Sequence, residues 1–455
     1  MKMLNEEGKG ISYTRQKRRP FVVAGIILGF FVVAALGIVV GYFIGRGQIK
    51  SCDEGKKHDD QSDKLRKEAV EMVSTDELRS NLEYFTKVPH FPGSKENYEL
   101  AKYIRNKWKE YGFTSVTMKK YIVMLSRPIK PGFVSLYHGG SEIFRSADQE
   151  TFYIPSENNS NVVTPFNAYA PSGRVKGKLV YANYGREEDF DALEKLGVNC
   201  SGKIVIMRYG KIGRATKSKR AHKLGAIGAI YYMDPQDYAR KEGMYRLPKE
   251  EAEKLLPQIP VQPIGYKDAY PLLKTLVGEL PSSPSFQGAL NFTYGVEMAE
   301  NGTRTVLLNV TNENYDADVY NVVGVIEGTT HPDELVMLGN HRDAWIFGAA
   351  DPSSGTAAMM ELSRVLGEQL KKGWRPKRTI VLLSWGAEEP QYMGSVEWLE
   401  EYSRLLSARA VAYLNVDMSV DGNYSFRAKS APLMDWVLAK ATMKVNKTNN
   451  LNKFY

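Results

Sequence analysis

Glu334-Leu335-Val336-Met337-Leu338-Gly339-Asn340-His341-Arg342-Asp343 decides how this chain is read. A short apolar run ending in a polar cluster reads as a strand buried on both faces. The pattern recurs. Thr379 to Ser384 is followed by Trp385-Gly386-Ala387-Glu388-Glu389, and Val411 to Asn415 by Val416-Asp417. Tyr320 to Ile326 is a further apolar run, while Ser354 to Leu370 and Val396 to Leu405 have helical spacing. Strands alternating with helices predict an α/β sheet layered with helices. In such sheets ligands bind just past the strand C-termini. That edge would carry His341, Glu388, Glu389 and Asp417.

Asp351, in Asp351-Pro352-Ser353-Ser354-Gly355, stands just before the first of those helices. It reads either as a turn or capping aspartate or as a carboxylate placing one oxygen on each of two cations. One histidine with Asp351, Glu388, Glu389 and Asp417 is the donor set of a two-metal hydrolase, with one carboxylate left over as a base. Asp343, two positions after His341, is suited to orient its ring. Of the adjacent glutamates one can bind metal while the other faces substrate and shuttles a proton. Asp417 ends a strand expected to be buried, where an unpaired carboxylate is costly and a metal relieves the cost. Each residue alone also has a bland reading: a satisfied core histidine, a turn aspartate, a solvated pair.

The 455 residues allow about three domains. Apolar content of 43% and 25% charged residues describe a globular protein. The net charge of +9 comes from scattered residues with no basic, aromatic-laced run, so nucleic acid is not an expected partner. Two cysteines, Cys52 and Cys200, make no disulfide framework. Cys52 could cross-link two subunits or stay unpaired. Phe21 to Ile44 is uncharged and long enough to cross a bilayer. The denser positive flank, Arg15, Lys17, Arg18 and Arg19, precedes it. Residues 1–20 are therefore expected to be a cytoplasmic tail, 21–44 a transmembrane signal anchor rather than a cleaved signal peptide, and 45–67 a stalk. That makes a single-pass type II protein of the plasma membrane. The sequons at Asn158, Asn199, Asn291, Asn301, Asn309, Asn423 and Asn446 all lie beyond that segment and agree with a glycosylated ectodomain.

Asp76 to Lys87 and Glu96 to Tyr111 read as helices, the second capped by Ser94 and stopped by Gly112; Ser115 to Val123 alternates as a strand. Residues 124–316 have short strands, frequent Pro and Gly, and no metal-type cluster. Within them Lys178 to Asn183, Lys203 to Arg208, Thr216 to Leu224 and Ala226 to Tyr232 read as a strand–helix–strand module. They are taken as an inserted domain that divides the main domain into an N-terminal segment (68–123) and a C-terminal segment (317–455).

At the site motifs the chain resembles the M28 zinc peptidases, specifically glutamate carboxypeptidase II and the N-acetylated-alpha-linked acidic dipeptidases. Asn199-Cys200-Ser201-Gly202-Lys203-Ile204-Val205-Ile206, Lys372-Gly373-Trp374-Arg375-Pro376 and Asp421-Gly422-Asn423-Tyr424 extend the likeness. The resemblance implies a zinc-exopeptidase-like mixed sheet flanked by helices, with residues 124–316 as a protease-associated apical domain. It implies a dizinc site in which Asp351 bridges, His341 and Asp417 complete one zinc shell, Glu389 joins the other, and Glu388 is the acid/base. It implies that Arg214, in Tyr209-Gly210-Lys211-Ile212-Gly213-Arg214, meets the terminal carboxylate of a small acidic peptide, and that Arg427 faces the acidic residue upstream of the scissile bond. Glu397 and Glu400 match half of a family calcium site. The family is homodimeric.

The chain departs from that pattern in three places. The family continues past Tyr455 with a second zinc-binding histidine, an oxyanion-stabilising tyrosine, further basic residues and a helical dimerisation domain. None of His58, His90, His138, His222 or His331 falls where that histidine belongs, so one zinc is expected to have an incomplete shell and this chain to be a truncated form. Between Tyr238 and Pro260 a longer Gly-rich segment with a substrate-binding Asn and calcium ligands is missing. Pro390-Gln391-Tyr392-Met393-Gly394-Ser395 replaces a Phe-Gly-Leu-Leu-Gly-Ser type segment bordering the specificity pocket. The leading expectation is a membrane-anchored dizinc carboxypeptidase or dipeptidase releasing C-terminal glutamate, or a truncated form of one that is itself inactive. The alternatives are a transferrin-receptor-like binding protein without turnover, and an aminopeptidase on the same zinc core.

Overall fold

The computed structural model describes residues 64–152, 154–237, 256–420 and 427–446. The tail, the 21–44 segment, most of the stalk and Asn423 lie outside the described residues, as does most of the Tyr238 to Pro260 stretch. Among the described residues no helix is long and apolar enough to cross a membrane. Residues 64–72 are helical and fall in a separate unit from Val73–Tyr455.

The larger unit opens with α1 (Thr75–Phe85) and α2 (Lys95–Glu110). Ser94 caps α2 by accepting the Asn97 N–H at 3.1 Å, and Gly112 ends it at φ +80°. β1 (Ser115–Pro128) follows, then β2 (Phe133–His138), β3 (Ser141–Arg145), β4 (Gly173–Gly177) and β5 (Leu179–Tyr181). Next come α3 (Glu187–Lys195), β6 (Ile204–Arg208), α4 (Arg214–Lys223), β7 (Gly228–Tyr232), β8 (Val261–Ile264), α5 (Tyr266–Leu273) and β9 (Arg304–Val310). The last stretch holds β10 (Asn312–Ile326), β11 (His331–His341), α6 (Ser353–Lys371), β12 (Arg378–Trp385), α7 (Met393–Arg409), β13 (Ala410–Asn415) and α8 (Pro432–Asn446).

A five-stranded sheet has the order β1-β10-β12-β11-β13. β1, β10 and β12 pair antiparallel, while β12, β11 and β13 run parallel. One face is covered by α1, α2 and α6 through Phe85, Ile104, Trp108, Val322, Met360 and Leu382. The other is covered by α7, whose Trp398 and Leu406 pack on Val323, Leu335, Val381 and Leu383. Sequence placed these strands correctly but misjudged one. β13 was expected to be buried; among the described residues it stands at the end of the strand order, with Val411 and Tyr413 exposed. An edge strand has a neighbour on one side only, so an apolar run alone does not guarantee burial on both faces.

β1 and β10 pair without a break from Ser115↔Val325 to Pro128↔Asn312. The ladder thus runs past both expected junctions, 124 and 316. Beyond it stand two four-stranded sheets, β3-β2-β9-β4 and β5-β6-β7-β8, sharing one apolar core. Lys217 of α4 is fully buried and donates to the carbonyls of Tyr184, Arg208 and Gly210 at 2.6, 2.7 and 2.7 Å. Burial pulls its pKa down to about 7, while the three carbonyls take up its N–H donors. It fixes the Tyr209–Arg214 segment from below.

A candidate metal centre at the sheet edge

The parallel register places the site. His341 is the last residue of β11 and lies opposite Trp385, the last of β12; Gly339 lies opposite Asn415, the last of β13. The chain therefore leaves three adjacent strands at one edge, carrying His341, the Glu388-Glu389 pair and Asp417 together. Asp351 arrives from the loop before α6. The buried Asn340 ties these exits together. Its Nδ2 donates to the Val416 and Asp417 carbonyls at 2.8 and 3.2 Å, and its Oδ1 accepts from Thr356 at 2.6 Å. Gly355 allows the start of α6 to lie against the end of β13: a Cβ there would stand 2.2 Å from the carbonyls of Val416 and Asp417.

The His341 ring is buried, and its Nε2 is the centre of convergence. It stands 3.0 Å from Asp351 Oδ1, 3.0 Å from Asp417 Oδ1 and 3.7 Å from Glu388 Oε2. Burial opposes a charge on this imidazole, but hydrogen bonds to Asp343, Asp351 and Asp417 outweigh it and raise its pKa well above the ordinary value. Nδ1 faces the main-chain carbonyl of Asp343 at 3.0 Å, with that residue's carboxylate at 3.7 Å.

The Asp343 carboxylate does more than attend the ring. Its two oxygens accept the backbone N–H groups of Glu388 and Glu389 at 2.9 and 3.0 Å. Burial would raise its pKa, but the bonds from His341 and from those two N–H groups hold it below the usual carboxylate range. It therefore stays an acceptor and fixes the glutamate turn to the β11 exit. Between His341 and Asp343, the fully buried Arg342 donates to the Asn97 carbonyl and side chain, to Ser384 Oγ and to the Tyr320 carbonyl. Burial lowers its pKa to about 10, so it remains a cation at neutral pH beside the carboxylates.

Among the described residues, His341, Glu388 and Asp417 offer ligand atoms that all lie within 4.8 Å of one another. Two ligands about 2.0–2.1 Å from one tetrahedral ion stand about 3.3 Å apart. The 3.0 to 3.7 Å spacings around His341 Nε2 match that edge length. The donor set, one imidazole among carboxylates that would otherwise repel one another, fits a divalent cation of zinc type.

The other expected residues are dispersed. Arg214 is exposed at the first turn of α4; its side chain meets Tyr209 and its carbonyl accepts from Tyr231. Arg427 is exposed. Glu397 and Glu400 lie three residues apart on α7. Asn158, Asn199, Asn291 and Asn301 are exposed, whereas Asn309 is half-buried in β9. One expectation for Asp417 needs correcting. Its carboxylate is 36% exposed, so desolvation does not single it out as a ligand; proximity to His341 does. Asn340 and the backbone role of Asp343 were missed from sequence. A polar residue one position inside a strand end, as Asn340 is, was the available signal.

Residues 321–454 match Peptidase family M28, and residues 175–272 match the PA domain. The chain is 36% identical over 476 residues to Aminopeptidase NAALADL1 of Mus musculus, covering 93% of this chain and 64% of that protein. It is 38% identical over 419 residues to Probable glutamate carboxypeptidase LAMP1 of Arabidopsis thaliana, covering 81% of this chain and 58% of that protein. The chain thus spans less than two thirds of the length of these relatives. Among solved structures, the peptidase M28 precursor from Shewanella amazonensis shares its fold with a TM-score of 0.56 at 19% identity, covering 86% of this chain and 81% of that one. The 321–454 segment of this chain belongs to peptidase family M28, and a PA domain at 175–272 precedes it in sequence.

Proposed function

We propose that this chain carries the metal centre of a zinc exopeptidase that releases a C-terminal acidic residue, glutamate, from short peptides. The observation that carries the reading is the convergence of Asp351, Asp417 and Glu388 on His341 Nε2. His341, Asp351 and Asp417, with Glu389, would hold zinc, and Glu388 stands beside them. When bound, zinc supplies Lewis-acid polarisation of the scissile carbonyl and makes water acidic enough to be deprotonated near neutral pH. Glu388 would take a proton from the water whose oxygen bonds to the scissile carbonyl carbon and give it to the departing amine nitrogen as the C–N bond breaks. Asp343, holding the Glu388 and Glu389 amides, keeps the carboxylate that moves the proton in register with His341. Arg214 and Arg427 would take the substrate's two acidic groups.

The name of the Arabidopsis relative supports release of C-terminal glutamate. A second reading, removal of N-terminal residues, is favoured by the name of the mouse relative and by the altered Pro390-Gln391-Tyr392 segment. A paired assay separates them. The purified protein with zinc is expected to hydrolyse N-acetyl-Asp-Glu and to leave a leucyl-anilide untouched, with activity lost on chelation and restored by zinc. Cleavage of the anilide alone establishes the aminopeptidase reading; cleavage of neither substrate with zinc bound removes both.

The positive flank before Phe21 and the exposure of Asn158, Asn199, Asn291 and Asn301 support a type II anchor at residues 21–44 with the remainder outside the cell. Glycosidase treatment of protein expressed in animal cells is then expected to shift its migration by several glycans. An unshifted band rejects this topology.

A further inference from the structure

The turn Gly386 to Gly394, which carries Glu388 and Glu389, is held in an unfavourable backbone shape. Ala387, Gln391 and Tyr392 have φ of 54°, 86° and 59°. Non-glycine residues persist in that region only where their surroundings over-determine them. The Tyr392 N–H closes the turn onto the Glu388 carbonyl at 2.6 Å. What holds the two ends is a side chain from another strand. Asn321, fully buried on β10, accepts the Gly386 N–H on Oδ1 at 3.0 Å and donates from Nδ2 to the Gly394 carbonyl at 2.7 Å. The two glycines are required for this closure: a Cβ on Gly394 would stand 2.0 Å from the Gly386 carbonyl and 2.7 Å from Asn321 Oδ1.

An amide offers an acceptor and a donor on a single rigid plane, so it can pin an N–H and a C=O at once. Both groups lie in the interior, where an unmade hydrogen bond is expensive and a made one is strong. Asp343 grips the middle of the same turn through the Glu388 and Glu389 amides. The turn is thus held at both ends and at its centre from strands on either side of β12.

We propose that Asn321 is a positioning residue for the metal centre: it sets the aim of the Glu388 and Glu389 carboxylates by locking the ends of a strained turn. This deepens the zinc-site reading and rests on it. A carboxylate displaced by a loosened turn no longer shares an ion with His341 and Asp417, so the clamp acts on metal affinity as well as on turnover.

The test compares the full-length wild type with Asn321→Leu, which removes both bonds, and Asn321→Asp, which keeps the acceptor and the shape but loses the donor. Gln262→Leu, a buried amide on β8, away from the five-stranded sheet, is the control for general destabilisation. Two quantities are read: hydrogen exchange of the 386–394 peptide in metal-free protein, and zinc affinity by competition with a chromophoric chelator. Both Asn321 variants are expected to exchange at 386–394 at least ~10-fold faster and to bind zinc ~10–100-fold more weakly, the range for loss of a group that orients ligands. Gln262→Leu is expected to lower the melting temperature and leave both quantities unchanged. Wild-type exchange and wild-type zinc affinity in Asn321→Asp overturn the proposal. So does an effect no larger than that of the control. If the wild type binds no zinc, the metal reading fails, and the exchange measurement alone decides whether Asn321 holds the turn.

Discussion

Replacing His341 by alanine is expected to abolish tight zinc binding. Loss of an outer partner of a ligand costs ~10–100-fold in affinity; His341 is itself the point on which three carboxylates converge, so its loss is expected to exceed that range. The variant also exposes what the imidazole does without metal. Its raised pKa makes it a cation beside Asp351 and Asp417. Removing one partner from a buried ion pair costs about 3–5 kcal/mol. The partial exposure of Asp351 and Asp417 reduces this, and about 2 kcal/mol is expected. The sign of the pH dependence follows from the raised folded pKa. The contribution is complete below the unfolded value of about 6.5 and is lost as pH rises through the folded value. Metal-free wild type and His341→Ala should therefore differ most in urea unfolding at pH 6 and converge at high pH. Zinc affinity in the variant equal to that of wild type, by chelator competition, would remove His341 from the site.

Glu388→Gln is expected to lower peptide hydrolysis ~10²–10⁴-fold, the usual share of a positioned proton carrier, while zinc affinity falls less than tenfold. The substitution keeps the volume and removes the proton-accepting charge. It is informative because the geometry gives Glu388 two openings. Its Oε2 lies 3.7 Å from His341 Nε2, farther than Asp351 and Asp417, which fits a base standing just outside the ligand shell. It also belongs to the group of ligand atoms within 4.8 Å of one another, which fits a ligand. A base loses turnover and keeps metal; a ligand loses both. Measured side by side, kcat and zinc affinity of Glu388→Gln assign the role. A drop in affinity beyond tenfold transfers the proton-carrying role to Glu389.

The positions of these residues at strand ends were legible because apolar runs stop abruptly at polar clusters. Their meeting was implied by parallel strands sharing an edge. What sequence did not reveal lies in side chains acting on distant backbone. Asn321 and Asn340 look like ordinary polar residues at strand positions, and Asp343 looks like a partner for its neighbour in sequence. Their partners include main-chain groups 45 and 46 residues away for Asp343, 76 and 77 for Asn340, and 65 and 73 for Asn321. No local period encodes such pairings. The burial of β13 was misread for a related reason: Val411 to Asn415 has the composition of a central strand, and only the sheet order among the described residues places it at the end.

The unbroken pairing from Ser115↔Val325 to Pro128↔Asn312 makes β1 and β10 the two arms of one hairpin. Everything from residue 129 to 311 stands where a hairpin would need only a few linking residues. Residues 129–311 leave and rejoin the five-stranded sheet at neighbouring positions on a single ribbon and interrupt none of its strands. Asn321 sits on the return arm of that ribbon. The glutamate turn is thus reached from that ribbon through Asn321, and from residues 129–311 through Tyr169, whose hydroxyl donates to the Pro390 carbonyl at 3.5 Å.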